Sequence, residues 1–487
     1  MEKIILIILL FLISLSAQYE WSTPIQLSEQ GIYPDVLYTN PTVTHDSNGN
    51  LHAFWIKSIQ IGSNLRWYSQ IEYRRSTDDG LTWSGTENLT PDYTTERIYD
   101  IQALCDSENN IHLIYNQTVT GSEYSRILHK RFYNNTWQEP VEVYRYYTSV
   151  LRTGIDNRNR IYTTWFLGPA DTGTAYYSFC DVLTDSVSWR TAEAIDNSES
   201  YGVSSQLIFD DENNLYGVGR IYKDDVYPYF FEYNRSLAVW KCEQICDSVA
   251  LGCALAISDN EELHASISIG SSNSDNTNYM IFKLKNDSLW SNIELINNNT
   301  AFSKRFLYLD NDDNLHLIEM YSSYPSKLIY TNSSNSTWNT EILHSDSIYG
   351  YEQHNVEYKN GSLYLVFKEI DTTMLHFDTK IFFQSKQIEV GIENNNSDIN
   401  SFSLYQNYPN PFNNETEISF SLKEASEIEL IIYNSKGEQV DSMIKRKMSK
   451  GVHSMNYCAS KLNSGVYYYQ LKVDGISKDT KKMLFLK

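Results

Sequence analysis

Positive charge is scarce in this chain: 39 Lys and Arg stand against 61 Asp and Glu, a formal net charge of −22. Phosphate backbones are held by a Lys/Arg excess, so nucleic acid is not an expected partner. Long apolar runs are scarce as well. The one that stands out, Ile4 to Ile13, follows Lys3 and precedes Leu15-Ser16-Ala17. It is too short to span a bilayer comfortably, and a charged start, apolar centre and small-residue end read as a cleaved signal peptide over residues 1–17. No cysteine follows that site, which argues against lipid attachment there, and the mature chain is expected to be soluble. Cysteine is limited to six residues, none in the Cys-x-x-Cys pairs of a zinc site. Cys242 and Cys246 would lie about 13 Å apart on an extended strand, so a bridge between them needs a turn. Buried free thiols are the favoured expectation, and a disulfide among Cys242, Cys246 and Cys253 is the alternative.

What the chain does have is tyrosine, 38 of them, with abundant Asn and Ser, a composition that favours strands and polar turns over helices. It also has a period. Trp21, Trp83, Trp137, Trp189, Trp240, Trp290 and Trp338 recur at roughly 50 residues. Between them recurs a polar turn followed by Leu/Ile and His/Tyr: Leu51-His52, Ile111-His112, Ile161-Tyr162, Leu215-Tyr216, Leu263-His264, Leu315-His316 and Leu363-Tyr364. One unit reads as Pro41 to His45, a hairpin turn over residues 46–50, Leu51 to Lys57, a variable loop, Ile71 to Arg75, a second tight turn, and a fourth strand opened by Trp83. Four short antiparallel strands that cannot bury their apolar face alone describe one blade of a β-propeller. The two series are offset. The Trp21 strand, Glu20 to Leu27, comes before any complete unit, and the last unit lacks a Trp strand. The expectation is therefore an all-β, seven-bladed β-propeller over residues 18–390, with the N-terminal strand closing the last blade and removing exposed sheet edges.

The acidic turns, most of all Asp310-Asn311-Asp312-Asp313-Asn314, sit where a hairpin wants Asx residues and lack the terminal bidentate Glu of a calcium loop. His52, His112, His264 and His316 alternate with Tyr and read as packing residues. No metal and no cofactor are expected.

The segment Ser76-Thr77-Asp78-Asp79-Gly80-Leu81-Thr82-Trp83 resembles the Asp-box of sialidase-like, BNR-repeat propellers. Ser76, Asp78, Gly80 and Trp83 are then structural: Gly80 permits the tight turn, Asp78 takes backbone amides and Trp83 packs into the blade. Later copies such as Asn134-Asn135-Thr136-Trp137 keep only the turn and the Trp.

Linker-like composition over residues 391–402 separates the body from a tail that differs in charge. From Ser403 onward there are 12 Lys/Arg and 9 Asp/Glu, a net of +3, leaving −25 for the remainder. The phrase Asn407-Tyr408-Pro409-Asn410-Pro411-Phe412, with Lys436-Gly437, Lys450-Gly451 and Ser464-Gly465-Val466-Tyr467 beyond it, resembles the type A sorting domain of the type IX secretion system. Asn414 departs from it, where that family commonly has Pro. The resemblance implies a small Ig-like β-sandwich over residues 403–487, the type IX machinery as partner, and export across an outer membrane to the cell surface or medium.

In propellers of the resembled kind, ligands sit on the axial loop face, opposite the Asp-box turns. Loop aromatics there include Trp67, Tyr68, Tyr93, Tyr99, Tyr144, Tyr146, Tyr147, Tyr201, Tyr222, Tyr349 and Tyr351, which suit sugar stacking or protein contact. Candidate ligand-binding residues are Arg97, Tyr99, Arg152, Arg220, Arg305, Tyr349 and His354. The favoured reading is a monomeric, non-catalytic protein that binds glycan or protein. The alternative is a glycosidase of exo-sialidase type, which needs three arginines on one carboxylate, or a polysaccharide lyase using a His such as His354 beside a Tyr. The early Arg-Ile-Pro phrase of sialidases is missing.

Overall fold

In the computed structural model the residues described lie within 20–388 and 403–485, with breaks at 33–34, 62–65, 91–96, 119–123, 147, 168–173, 183–186, 196–205, 223–224, 259–260, 270–276, 285–289, 292–293, 298–304, 311–312, 322–326, 335–336, 346–353, 360, 372–377, 405–406, 408–411, 414, 423–425, 435, 449–450, 460–461 and 463. All elements assigned among them are β-strands. The chain divides into two compact units, Met1–Val390 and Gly391–Lys487. The signal-peptide and linker expectations fall outside the described residues.

The first unit holds, among those residues, seven antiparallel sheets of four or five strands. Their leading strands are Val36–His45, Ile98–Cys105, Ser149–Ile155, Ile208–Phe209, Ala250–Ile257, Phe306–Leu309 and His354–Lys359. In the second sheet the next strand, Ile111–Thr118, is buried along almost its whole length, whereas the outer Val141–Tyr146 is half-buried to exposed. A short run with apolar groups on both faces is what a strand covered on both sides requires.

Each sheet packs on the next. Phe54 and Ile71 of the first meet Ile101 and Leu113 of the second; Tyr162 of the third meets Phe231 of the fourth; Leu51 and Trp55 of the first meet Val366 and Phe383 of the seventh. Seven such clusters join consecutive sheets and return to the start, and each takes one of the seven repeated tryptophans. The Trp reaches the preceding sheet: Trp83 meets Phe383 edge-on at 5.0 Å, Trp290 meets Phe230 at 5.6 Å and Trp21 meets Tyr330 at 5.6 Å. Aromatic pairs of this kind contribute about 0.5–1.5 kcal/mol beyond area burial.

The seventh sheet draws on both ends of the unit. Ile25–Gln26 pairs antiparallel with Asp378–Gln387, Ile25 opposite Phe383. The Ser22 amide donates to the Ser385 carbonyl at 2.8 Å and the Leu27 amide to the Ile381 carbonyl at 2.7 Å. The fourth-strand expectation needs correction at Trp83. The strand itself is the two-residue Glu87–Asn88, and Trp83 stands before it in the turn, its Nε1 donating to the Gly80 carbonyl at 3.0 Å.

Five of the hairpins between the first two strands are closed by an Asp, whereas Ser258 Oγ takes that place in the fifth sheet. Asp46 Oδ1 accepts from the amides of Asn48 and Asn50, both at 2.9 Å, and Oδ2 from Asn50 Nδ2 at 2.6 Å. Asp106 and Asp310 hold their turns likewise and also meet the ring Nε2 of His112 at 3.2 Å and His316 at 3.1 Å; Asp210 accepts from the Tyr216 hydroxyl at 2.8 Å. In these three turns His and Tyr play the same part, each donating to the turn carboxylate. A left-handed residue occupies the same place in each turn: Gly49, Asn109, Asn159, Asn213, Glu261, Asp313 and Gly361. Asn109 Oδ1 accepts from the Ser47 amide of the neighbouring turn at 2.7 Å, Asn159 from Ser107 at 2.9 Å and Asn213 from Asn157 at 3.0 Å.

The second unit has two sheets, of three and four strands, on one core that includes Phe412, Phe420, Leu430, Tyr469 and Phe485.

Candidate functional site

The two ends of the seven sheets differ chemically. At the end carrying the Asp46-type turns the polar groups are consumed within the turns. Burial would raise the Asp46 and Asp106 carboxyls, but the His52 ring 3.6 Å away with the Asn50 hydrogen bonds, and the hydrogen bonds from His112 and Asn110, hold both below the usual carboxylate range. Burial in turn pushes the ring pKa values of His52 and His112 down, and that of His264 to about 4. Such groups belong to the scaffold. Among the described residues no cluster of three or more His, Cys, Asp or Glu could hold a metal ion, and the six cysteines are free thiols.

The turn from Ser76 to Trp83 is saturated in the same manner. Ser76 Oγ donates to Asp78 Oδ1 at 2.8 Å and accepts from the Gly80 amide at 2.9 Å; Asp78 accepts from the Thr82 amide at 2.8 Å and hydroxyl at 2.6 Å. The Thr82 hydrogen bonds lower the Asp78 carboxyl.

The leading strands line a cavity of about 230 Å³. Its polar walls include Gln102, Arg152, Gln206, Arg305, Asn355 and Glu357. Arg152 lies 3.8 Å from Asp100, and Arg305 forms a fully buried ion pair with Glu319. Burial draws the Arg152 guanidinium down from its usual range while Asp100 opposes the shift.

The sequence candidates separate on this frame. Arg152 and Arg305 share the cavity. Arg97 and Tyr99 are exposed at the start of the second sheet's leading strand, with the guanidinium 4.9 Å from the Tyr99 ring centroid. Arg220 lies on Leu215–Tyr222, opposite Pro228, away from the cavity lining. His354 is 1% exposed and meets Phe306 edge-on at 5.4 Å. His354 and Arg305 are therefore interior groups rather than loop contacts, because both lie at the foot of a strand that the neighbouring sheets cover. Tyr349, Tyr93, Tyr147, Tyr201 and Tyr351, and the Tyr222 side chain, are outside the described residues. Asp100, Glu319 and Gln206 were not singled out from sequence. The strand register, which sets Arg305 directly before Phe306 opposite Ile318, reveals Glu319 as the partner of Arg305, and the packing of the second sheet on the third brings Asp100 to Arg152.

In the second unit the ends of the sorting phrase are buried. Asn407 accepts no surface role: its amide donates to the Tyr469 hydroxyl at 2.7 Å and its Nδ2 to Thr416 Oγ1 at 2.9 Å. The Phe412 amide donates to the Leu484 carbonyl at 3.0 Å, and its ring lies 5.0 Å from Phe485. Tyr408, Pro409, Asn410 and Pro411 lie outside the described residues.

Residues 406–485 match the secretion system C-terminal sorting domain. The tail thus defines an exported protein, delivered by type IX secretion to the cell surface or the medium and engaging that machinery on the way. The comparison with curated proteins finds no match. Solved structures similar to the chain include a Dyadobacter fermentans protein of unknown function at 10% identity, covering 75% of this chain and 99% of that one with a TM-score of 0.44. An ulvan lyase, described as a new family of polysaccharide lyase, is 10% identical over 72% of this chain and 95% of its own, TM-score 0.49. A sialidase of Streptococcus pneumoniae is 12% identical over 75% and 71%, TM-score 0.41. The chain's architecture rests on its own pairing and packing.

Proposed function

We propose that the exported chain is a non-catalytic binding protein. In this reading residues 18–390 form a seven-bladed, sialidase-like propeller of Asp-box type, closed by its N-terminal strand after loss of the signal peptide at 1–17. Residues 391–402 are a linker, and residues 403–487 are an Ig-like sandwich that directs secretion. A glycan or protein ligand sits at the end of the sheets opposite the Asp46-type turns, around the mouth of the cavity, with Arg97 and Tyr99 as contacts.

The pairing inside the cavity carries this reading. A carboxylate clamp needs guanidinium forks that are open to substrate. Here Glu319 already holds Arg305 and Asp100 attends Arg152. A buried ion pair leaves little charge for an incoming anion, and breaking one by withdrawing a partner costs about 3–5 kcal/mol. His354, sealed behind Phe306, is poorly placed for proton transfer to a substrate.

The test is a paired screen of the intact chain against glycan and protein arrays and against a fluorogenic sialoside and uronate-bearing polysaccharides. Binding without turnover is expected. Steady release of the fluorophore, or build-up of an unsaturated uronate, would overturn the reading.

A further inference from the structure

Tyrosine is plentiful, yet among the described residues of the first unit its exposed members are few and gathered. The large hydrophobic side chains exposed there include three tyrosines, Tyr99 at 44%, Tyr124 at 41% and Tyr146 at 45%, and no Trp or Phe. All three belong to the second sheet. Tyr99 is on its leading strand, Ile98–Cys105; Tyr124 directly precedes Ser125–Tyr133; Tyr146 ends Val141–Tyr146. Register puts them at one end. Tyr146 is opposite Ser125, Ser125 is opposite Thr118, and the Thr118 amide donates to the Arg97 carbonyl at 2.9 Å. This is the end away from the Asp106 turn.

The patch has a defined chemistry. The Tyr124 and Tyr146 rings stack at 4.7 Å, and the Arg97 guanidinium lies over Tyr99. Arg145 is held by Glu142, its Nε donating to Oε1 at 3.0 Å, and Arg126 Nη2 donates to Gln117 Oε1 at 3.3 Å. The patch reaches the cavity through Asp100, next to Tyr99 and 3.8 Å from Arg152. Four strands cross it, so it extends about 14 Å outward at the usual inter-strand spacing.

We infer that this end of the second sheet is a binding platform for an extended carbohydrate chain, with pyranose rings stacked on Tyr99 and on the Tyr124–Tyr146 pair. The inference rests on the binding role proposed above and names its ligand and place. Rigid aromatic faces with hydroxyl tips, flanked by guanidinium and carboxylate groups, match a sugar's apolar face and hydroxyl rim. A protein partner fits less well. Three half-exposed tyrosines offer on the order of 250 Å² of surface, whereas a stable protein interface takes roughly 800 Å² from each side. The other exposed apolar residue of the sheet, Val141, begins the strand that Tyr146 ends, and so adds nothing to the patch. A row of platforms rather than one pit selects a run of sugar units over a single terminal sugar.

The intact chain is applied to an array of neutral and uronate-bearing oligosaccharides of graded length, and hits are titrated calorimetrically with the parent, Tyr99→Ala, Tyr146→Ala, Tyr146→Phe and Tyr468→Ala chains. Tyr468 is exposed in the second unit and serves as the control. Thermal melts establish that each variant is folded. Expected are affinity that rises with chain length, a roughly fivefold to tenfold loss for each platform alanine, and near-parent binding for Tyr146→Phe and Tyr468→Ala. The neutral and acidic arms identify which sugar class supplies the rings. If glycan binds but both platform alanines bind as the parent does, the platform is wrong while the binding role stands. If only a protein or peptide ligand is retained, the carbohydrate assignment is overturned and the binding role again stands.

Discussion

At the residue scale the molecule depends on positions where backbone and side chain are constrained together. Gly80 has φ +86°, and a Cβ there would fall within the Phe383 ring of the seventh sheet. Gly49 has φ +81° with nothing within 4 Å of its would-be Cβ. Gly80→Ala should therefore cost about 2–4 kcal/mol, conformational strain plus clash, and Gly49→Ala only about 1 kcal/mol of strain. Urea denaturation of the two variants checks this, and equal midpoints would show that the Phe383 contact is unimportant. Asn109, Asn159 and Asn213 combine the left-handed conformation with a hydrogen bond to the neighbouring turn, which a Gly at the same place has no side chain to supply.

At the scale of elements the N-terminal strand does the most with the fewest residues. Ile25–Gln26 and the flanking Ser22 and Leu27 supply the outer edge of the seventh sheet, and Trp21 fills the cluster between the sixth and seventh sheets. Removing residues 20–28 would leave Asp378–Gln387 open beyond Thr379, where Gly31–Ile32 still pairs, and Tyr330 without its Trp21 partner. An open edge is a template for pairing with another chain. The truncated protein is expected to melt at lower temperature and to elute as dimers or larger species in size-exclusion chromatography. A monomer that melts with the parent would show that the strand is dispensable.

At the scale of the whole molecule the repeated turn makes acid sensitivity a collective property. His52, His112, His129 and His264 are held below the usual histidine pKa, chiefly by burial. The unfolded chain therefore binds protons first as pH falls below about 6.5, and stability declines with pH. For His264 the decline ends near its folded value of about 4. The turn aspartates, held low, keep their contribution until the pH falls below the ordinary carboxylate value of about 3.9 and lose it lower still. The denaturation midpoint should thus fall steadily between about pH 7 and about pH 4.5, and a flat profile over that interval would contradict the assignment of these rings as buried and neutral.

The sequence by itself determined the period, the seven tryptophans, the offset that leaves Trp21 ahead of its unit and the sorting phrase of the tail. These are local signals, since turn chemistry and two-residue alternation are set by neighbours in the chain. It could also mark Arg152 and Arg305 as candidates, but not that Asp100 and Glu319 had already claimed them. Nor could it tell that three tyrosines out of 38 would share one exposed sheet end. Those facts depend on register and on which sheet covers which, and one residue of slip would turn each side chain to the other face. The fate of a charge or a ring is decided by partners tens of residues away, which only tertiary packing brings within reach.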